Sequence, residues 1–144
     1  MTDETPTTAA RPSERSPYED QYGFSRAVVA GDFVLVAGCT ALDDSDAAAE
    51  GDPYEQTLAA FRTALGALDR YGLTAADVVR TRMYLTHVRD RDEVGRAHKE
   101  IFDGVRPVTT MVVVQGLTDS RMMVEVEVEA HRPGPARTSE GTQP

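Results

Sequence analysis

The chain has 144 residues, 40% of them hydrophobic and 27% charged, a size and balance that suit one globular domain with a single core. Fifteen basic against 24 acidic residues leave a formal charge of −9, so the molecular field repels phosphate backbones and acidic membrane surfaces, and neither nucleic acid nor a membrane is expected as a partner. Lys99 is the one lysine and so the one possible Schiff-base carrier; the single Cys39 excludes an internal disulfide, and three histidines far apart give no zinc-site spacing, so no metal is implied.

Residues 1–17 carry Thr, Pro, Ser, Glu and Arg with almost nothing to bury, and residues 132–144 are similarly rich in Pro, Gly, Ser and Thr. Such segments cannot offset their ordering entropy, so both read as disordered tails around a domain at 18–131. The first residues have neither a basic start nor an apolar run, and no stretch approaches the ~20 apolar residues that span a bilayer, so a cytoplasmic protein is expected. Phe24 to Ala30 and Phe33 to Cys39 are β-rich runs split by Gly31-Asp32, a pair that suits a tight hairpin. Asp52 as cap, Pro53 at the first helical position and Glu55 three residues after the cap predict a helix start. Leu58, Phe61, Leu65 and Leu68 then recur at helical spacing until Gly72.

From Val78 to Val88 the residues alternate, with Val79, Thr81, Met83 and Leu85 on one side and Arg80, Arg82, Tyr84 and Thr86 on the other. Asp90 and Glu93 predict a second capped helix, whose Val94, Ala97, His98 and Ile101 share one stripe before Gly104. Two strands follow, Thr109 to Gln115 and Met123 to Ala130. In the latter, Val124, Val126 and Val128 alternate strictly with Glu125, Glu127 and Glu129. The order strand, strand, helix, strand, helix, strand, strand predicts an α+β domain, a mixed β-sheet with two helices packed on one face. The opposite sheet face then carries Arg80, Arg82, Tyr84 and the three glutamates. Either water solvates it, or sheets of several copies face one another and pair these charges.

Cys39 ends an apolar strand with no evident His or Lys to activate it, which points to a structural or pocket-lining thiol that alkylates slowly. His98 lies on an apolar stripe and reads as a bonded core or interface residue, and His87 as an exposed strand end. No nucleophile set of Ser, His and acid and no Gly-rich phosphate loop is present. The glutamates stand at ~7 Å steps and repel unless arginines or a ligand compensate; one of them, Glu125, can in a sheltered interface hold a water and take its proton.

Taken together, Gly-Phe-Ser-Arg-Ala-Val (23–28), Gly-Asp-Phe-Val-Leu-Val-Ala-Gly (31–38), Val-Val-Arg-Thr-Arg-Met-Tyr-Leu (78–85), Arg-Pro-Val-Thr-Thr-Met-Val-Val-Val (106–114) and Val-Glu-Val-Glu-Val-Glu-Ala (124–130) resemble the RidA/YjgF family of reactive intermediate deaminases. The resemblance implies a chorismate-mutase-like protomer in a homotrimer, with small-molecule sites at the subunit interfaces and hydrolysis of enamines or imines to carbonyl compound and ammonia without a cofactor. It also implies an arginine two residues after Pro107, gripping a substrate carboxylate; here Thr109 stands there. By the same matching, Phe24 replaces a tyrosine, Ala37 a serine, Gly95 an asparagine and Met111 a cysteine, while Gly38, Pro107 and Glu125 are retained. The expected site thus has Glu125 as the catalytic group and Phe24, Arg26, Cys39, Thr109 and Met111 as substrate-binding residues, with Arg26 a replacement anion anchor only where its side chain turns inward. The implied ligand lacks a carboxylate. The alternative on the same scaffold is a non-catalytic ligand-binding or chaperone-like trimer.

Overall fold

Strands β1 (Ala27–Ala30) and β2 (Phe33–Cys39) form the expected hairpin, Ala30 facing Phe33 across a turn in which Gly31 takes the left-handed φ of 61°. The structure, a computed structural model, describes residues 16–132. The expected tails at 1–15 and 133–144 lie outside the described residues. The tail boundary set at residue 17 falls inside a helix not foreseen from the sequence, α1 (Pro17–Tyr22). Ser16 caps it in a reciprocal box with Glu19, a Ser-Pro-x-Glu signal hidden in a segment of tail-like composition.

After α2 (Ala41–Asp44), a single short turn, comes α3 (Pro53–Asp69), which begins with the expected box of Asp52 and Glu55. The apolar side of α3 differs in detail from the leucine spacing. Ala59, Ala60, Phe61, Ala64, Ala67 and Leu68 are buried, while Leu58 and Leu65 are only partly so. Small residues dominate because the helix lies directly on β2 and β5, where close approach leaves no room for a leucine row. Strand β3 (Val78–Leu85) shows a second difference. Its register slips between Val78 and Arg80, so Val78 turns inward and Val79 is exposed, whereas Thr81, Met83 and Leu85 are buried as the alternation requires. Helix α4 (Arg91–Phe102) follows a 3-10 turn, and Asp90 makes no side-chain cap; Glu93 pairs instead with Arg96 at 2.7 Å.

With β4 (Val108–Val113) and β5 (Val124–His131), the strands form one mixed sheet in the order β1-β2-β5-β3-β4, antiparallel except for β3 with β4. The longer helices α3 and α4 pack against each other, and their buried Phe61, Leu68, Val94 and Phe102 share one core with Val124, Val126 and Val128 of the sheet. No helix among the described residues is long and apolar enough to cross a membrane. The other face of the sheet is open. Arg82 reaches Glu127 and Glu129 at 3.4 and 3.0 Å, Arg80 approaches Glu129 at 3.7 Å, and Tyr84 donates to Glu127 at 3.0 Å. Phe33, Leu35, Val108 and Val112 lie exposed on this same face.

Gln56, fully buried on α3, ties two loops to the helix. Its amide nitrogen donates to the carbonyls of Ala49 at 3.0 Å, Gly51 at 3.3 Å and Arg121 at 3.0 Å, and its oxygen accepts from the Met123 N–H at 3.0 Å. Gln56→Leu keeps the volume but leaves these backbone groups without their partner, so urea unfolding is expected to register a loss of about 3 kcal/mol. An unchanged midpoint would mean that water replaces the amide.

Candidate functional site

The register of β2 against β5 slips between Val36 and Cys39, and this bulge sets Gly38 directly over Glu125. A Cβ at Gly38 would overlap the Glu125 carboxylate, reaching within 2.8 Å of its Cδ, so the missing side chain is what gives the carboxylate its place. Arg26 folds under the same bulge. Its Nη1 donates to the Gly38 carbonyl at 2.9 Å and lies 3.3 Å from Cys39 Sγ, and its Nη2 donates to Asp43 Oδ1 at 3.1 Å. The buried Glu19 accepts from the backbone N–H groups of Ser16 and Arg26, pinning α1 beside the site. Phe24, Arg26, Asp43, Asp119, Met122 and Glu125 line the resulting cleft of about 820 Å³.

Glu125 is the unsatisfied acid of this cleft. Its carboxylate accepts no hydrogen bond from any described residue. Burial pushes its pKa above the ordinary carboxylate value, the charges of Asp43 and Glu127 add to the rise, and Arg26 offsets only part of it. Asp119, by contrast, is drawn down to about 2 by the Arg121 guanidinium and backbone N–H, and stays charged. The cleft can therefore hold a water against a carboxylate of raised basicity.

The expected site residues fall into three places. Phe24, Arg26 and Glu125 meet in the cleft. Cys39 lies behind its wall, fully buried in the core cluster. Thr109 and Met111 lie on β4, an outer strand, separated from Glu125 by β3; they project toward the helix side, whereas Glu125 projects from the open face. Met111 packs over α4 there, its Cε 3.9 Å from where a Cβ of Gly95 would be. Arg26 does turn inward, and Asp43 already pairs with its charge. Sequence reasoning missed Asp43 and Glu19, whose roles depend on folds of the chain over 17 and 7 positions. It also missed that Thr81, a hydroxyl in a buried row, requires partners, and that these are His98 and Thr109, each at 2.8 Å.

Cys39 does have a neighbouring cation in Arg26, contrary to the sequence reading, yet desolvation outweighs it and pushes the thiol up to about 12. Iodoacetamide at neutral pH should therefore modify native Cys39 at least ~10²-fold more slowly than the urea-unfolded chain. Comparable rates would show that Arg26 holds a thiolate.

Comparison with known proteins agrees with this architecture along most of the chain. A family model described as Endoribonuclease L-PSP matches residues 15–132. An uncharacterized protein of Streptomyces coelicolor is 56% identical over 128 residues, 89% of this chain and 96% of that one. A RutC family protein of Pyrococcus abyssi is 27% identical over 110 residues, covering 76% and 86%. Among solved structures, a Mycobacterium tuberculosis member of the YjgF/YER057c/UK114 family superposes with a TM-score of 0.75 at 40% identity, covering 87% of this chain and 98% of that one. A match of this extent in sequence and in fold places the chain in the YjgF/RidA family.

Proposed function

We propose that this chain is the protomer of a cytoplasmic homotrimer with small-molecule sites between subunits. Each site would join the Glu125 cleft of one copy to the Thr109–Met111 edge of the next, and would hydrolyse a reactive imine or enamine lacking a carboxylate. The observation that carries this reading is the split of the expected site. Thr109 and Glu125 lie on different strands and opposite sides of one sheet, so no rotamer change within the chain brings them together. A second copy, docked head to tail around a closed ring, does so, and covers an open face that mixes Phe33, Leu35 and Val112 with ordered ion pairs.

In the proposed reaction Glu125 takes a proton from water as the oxygen attacks the imine carbon. The C=N π electrons move to nitrogen, which takes that proton back from Glu125, leaving a carbinolamine and a free carboxylate. The carbinolamine then collapses: its hydroxyl proton goes to the carboxylate, which passes it to the nitrogen, the C–N bond breaks, and ammonia leaves beside a carbonyl product with Glu125 again ionised. No cofactor enters this balance. A ligand carboxylate is disfavoured because Arg26 is engaged by Asp43, and four acids, Asp43, Asp46, Asp119 and Glu125, line the cleft against two cations, Arg26 and Arg70. The charge of −9 also argues against the RNA substrate in the family model's name. A non-catalytic ligand-binding or chaperone-like trimer is the second reading, favoured by Met111, which fills the space over Gly95.

Light scattering at micromolar protein should give about three times the 15.7 kDa chain mass; a monomer would sink the shared-site reading. Ammonia release should be followed with 2-aminoacrylate and with benzaldimine, a neutral imine, each generated in situ and corrected for spontaneous hydrolysis. Wild type should accelerate the neutral imine and leave 2-aminoacrylate nearly at its background rate, and Glu125→Gln should lose about 10²-fold or more. Thr109→Arg should partly restore 2-aminoacrylate turnover. No acceleration of either imine would favour the non-catalytic reading.

A further inference from the structure

Three elements bring three polar side chains together at the β4 edge of the sheet. Thr81 Oγ1 of β3 lies 2.8 Å from His98 Nε2 of α4 and 2.8 Å from Thr109 Oγ1 of β4, and Thr109 Oγ1 donates to the Pro107 carbonyl at 3.1 Å and lies 3.4 Å from His98 Nε2. Thr81 is fully buried, so its single proton must go to one of its two neighbours. The Pro107 carbonyl can only accept, and at 3.1 Å it is nearer to Thr109 Oγ1 than His98 Nε2 is at 3.4 Å, so the Thr109 proton is assigned to it. Thr109 therefore accepts from Thr81, and Thr81 accepts from a proton carried on His98 Nε2. The chain of donors runs one way, from His98 outward, and ends at Thr109, an exposed residue. Phe61 and Phe102 hold the ring, with centroids 5.7 and 4.7 Å from that of His98, and burial lowers its pKa, favouring the neutral form.

We propose that Thr109 is a recognition residue whose hydroxyl is fixed as a hydrogen-bond donor, and that His98 is the positioning residue that sets this polarity through Thr81. The ligand it fits carries a neutral oxygen acceptor, such as an amide carbonyl, next to the reacting carbon. The Thr109 proton swings from Pro107 to that oxygen while every other bond of the relay stays in place. A lone hydroxyl donor can satisfy a neutral carbonyl but cannot balance a carboxylate's charge. The recognition half rests on the reading above that Thr109 faces the ligand; the relay itself does not.

Long-range 1H–15N NMR on the full chain at neutral pH reads the His98 tautomer directly. The proton is expected on Nε2, with Nδ1 bare; a ring protonated on Nδ1 overturns the relay. Thr81→Val removes the acceptor at the same volume and should shift the ring to a mixture of tautomers, whereas Thr81→Ser should keep the wild-type pattern. Pyruvamide and pyruvate, neutral and anionic versions of one shape, probe recognition by calorimetry. Wild type and Thr81→Ser should favour pyruvamide at least tenfold, and Thr81→Val and Thr109→Val should lose that preference. Equal binding of the two probes by wild type, or a preference that survives Thr81→Val, overturns the inference even where imine turnover and trimer mass stand as proposed. A retained preference without imine turnover instead removes the deaminase reading and leaves this inference intact.

Discussion

Strand β5 lies between β2 and β3, so each of its side chains is forced onto one of two surfaces. Its valines anchor the helix layer; its glutamates cannot follow them, because a carboxylate without a partner in that core would cost several kcal/mol. A one-residue slip would exchange the two sets. The alternation therefore fixes the register of β5, and through it the positions of both neighbouring strands. It also commits the domain to a charged open face, which is the starting condition for any site built there.

The three rungs of that ladder are not equivalent. Glu129 stands opposite Arg80 and Glu127 opposite Arg82, and both carboxylates find guanidinium partners; Glu125 stands opposite Tyr84, whose hydroxyl goes to Glu127 instead. The third rung is thus left without a cation at its own position. On its other side β2 bulges and presents Gly38, which opens space without supplying a donor. A carboxylate that is half-buried, unbonded and next to Asp43 is costly to keep charged, and the same condition makes it a better proton acceptor than an ordinary carboxylate. Stability and proton affinity pull in opposite directions at this residue.

The sheet, the hairpin turn and the two long helices were legible because each is written as local periodicity: the valine–glutamate alternation of β5, Gly31-Asp32, the Asp52–Glu55 box. Bulges were not, since a slip such as that at Val78–Arg80 appears only once β3 has a partner to slip against. Val79 was placed in the core for that reason. Ser16 to Tyr22 was obscured by composition, although its capping box was present. Of the site, Glu125 was legible from its pattern and the family resemblance, while Arg26's engagement with Asp43 was not, because the two meet only after the chain has turned through β1 and β2.

In the proposed shared site, the ligand's charge follows from what each wall already holds. To bind a carboxylate, the Arg26 guanidinium would have to turn from Asp43, and its side chain and that of Asp43 are only 10% and 24% exposed. Asp43 would then remain, unpaired, beside Glu125, and the two like charges would repel each other. The far wall gives no compensation, because its polar atom at the critical position is the Thr109 hydroxyl, whose single proton can form one bond and carries no formal charge. An anion thus meets a cost at the cleft, and beside the β4 edge the Lys99 and Arg106 cations are already paired with Asp103. A neutral imine asks for neither change: Arg26 stays with Asp43, Glu125 keeps its raised basicity, and water can approach a carbon that no counter-charge is needed to hold.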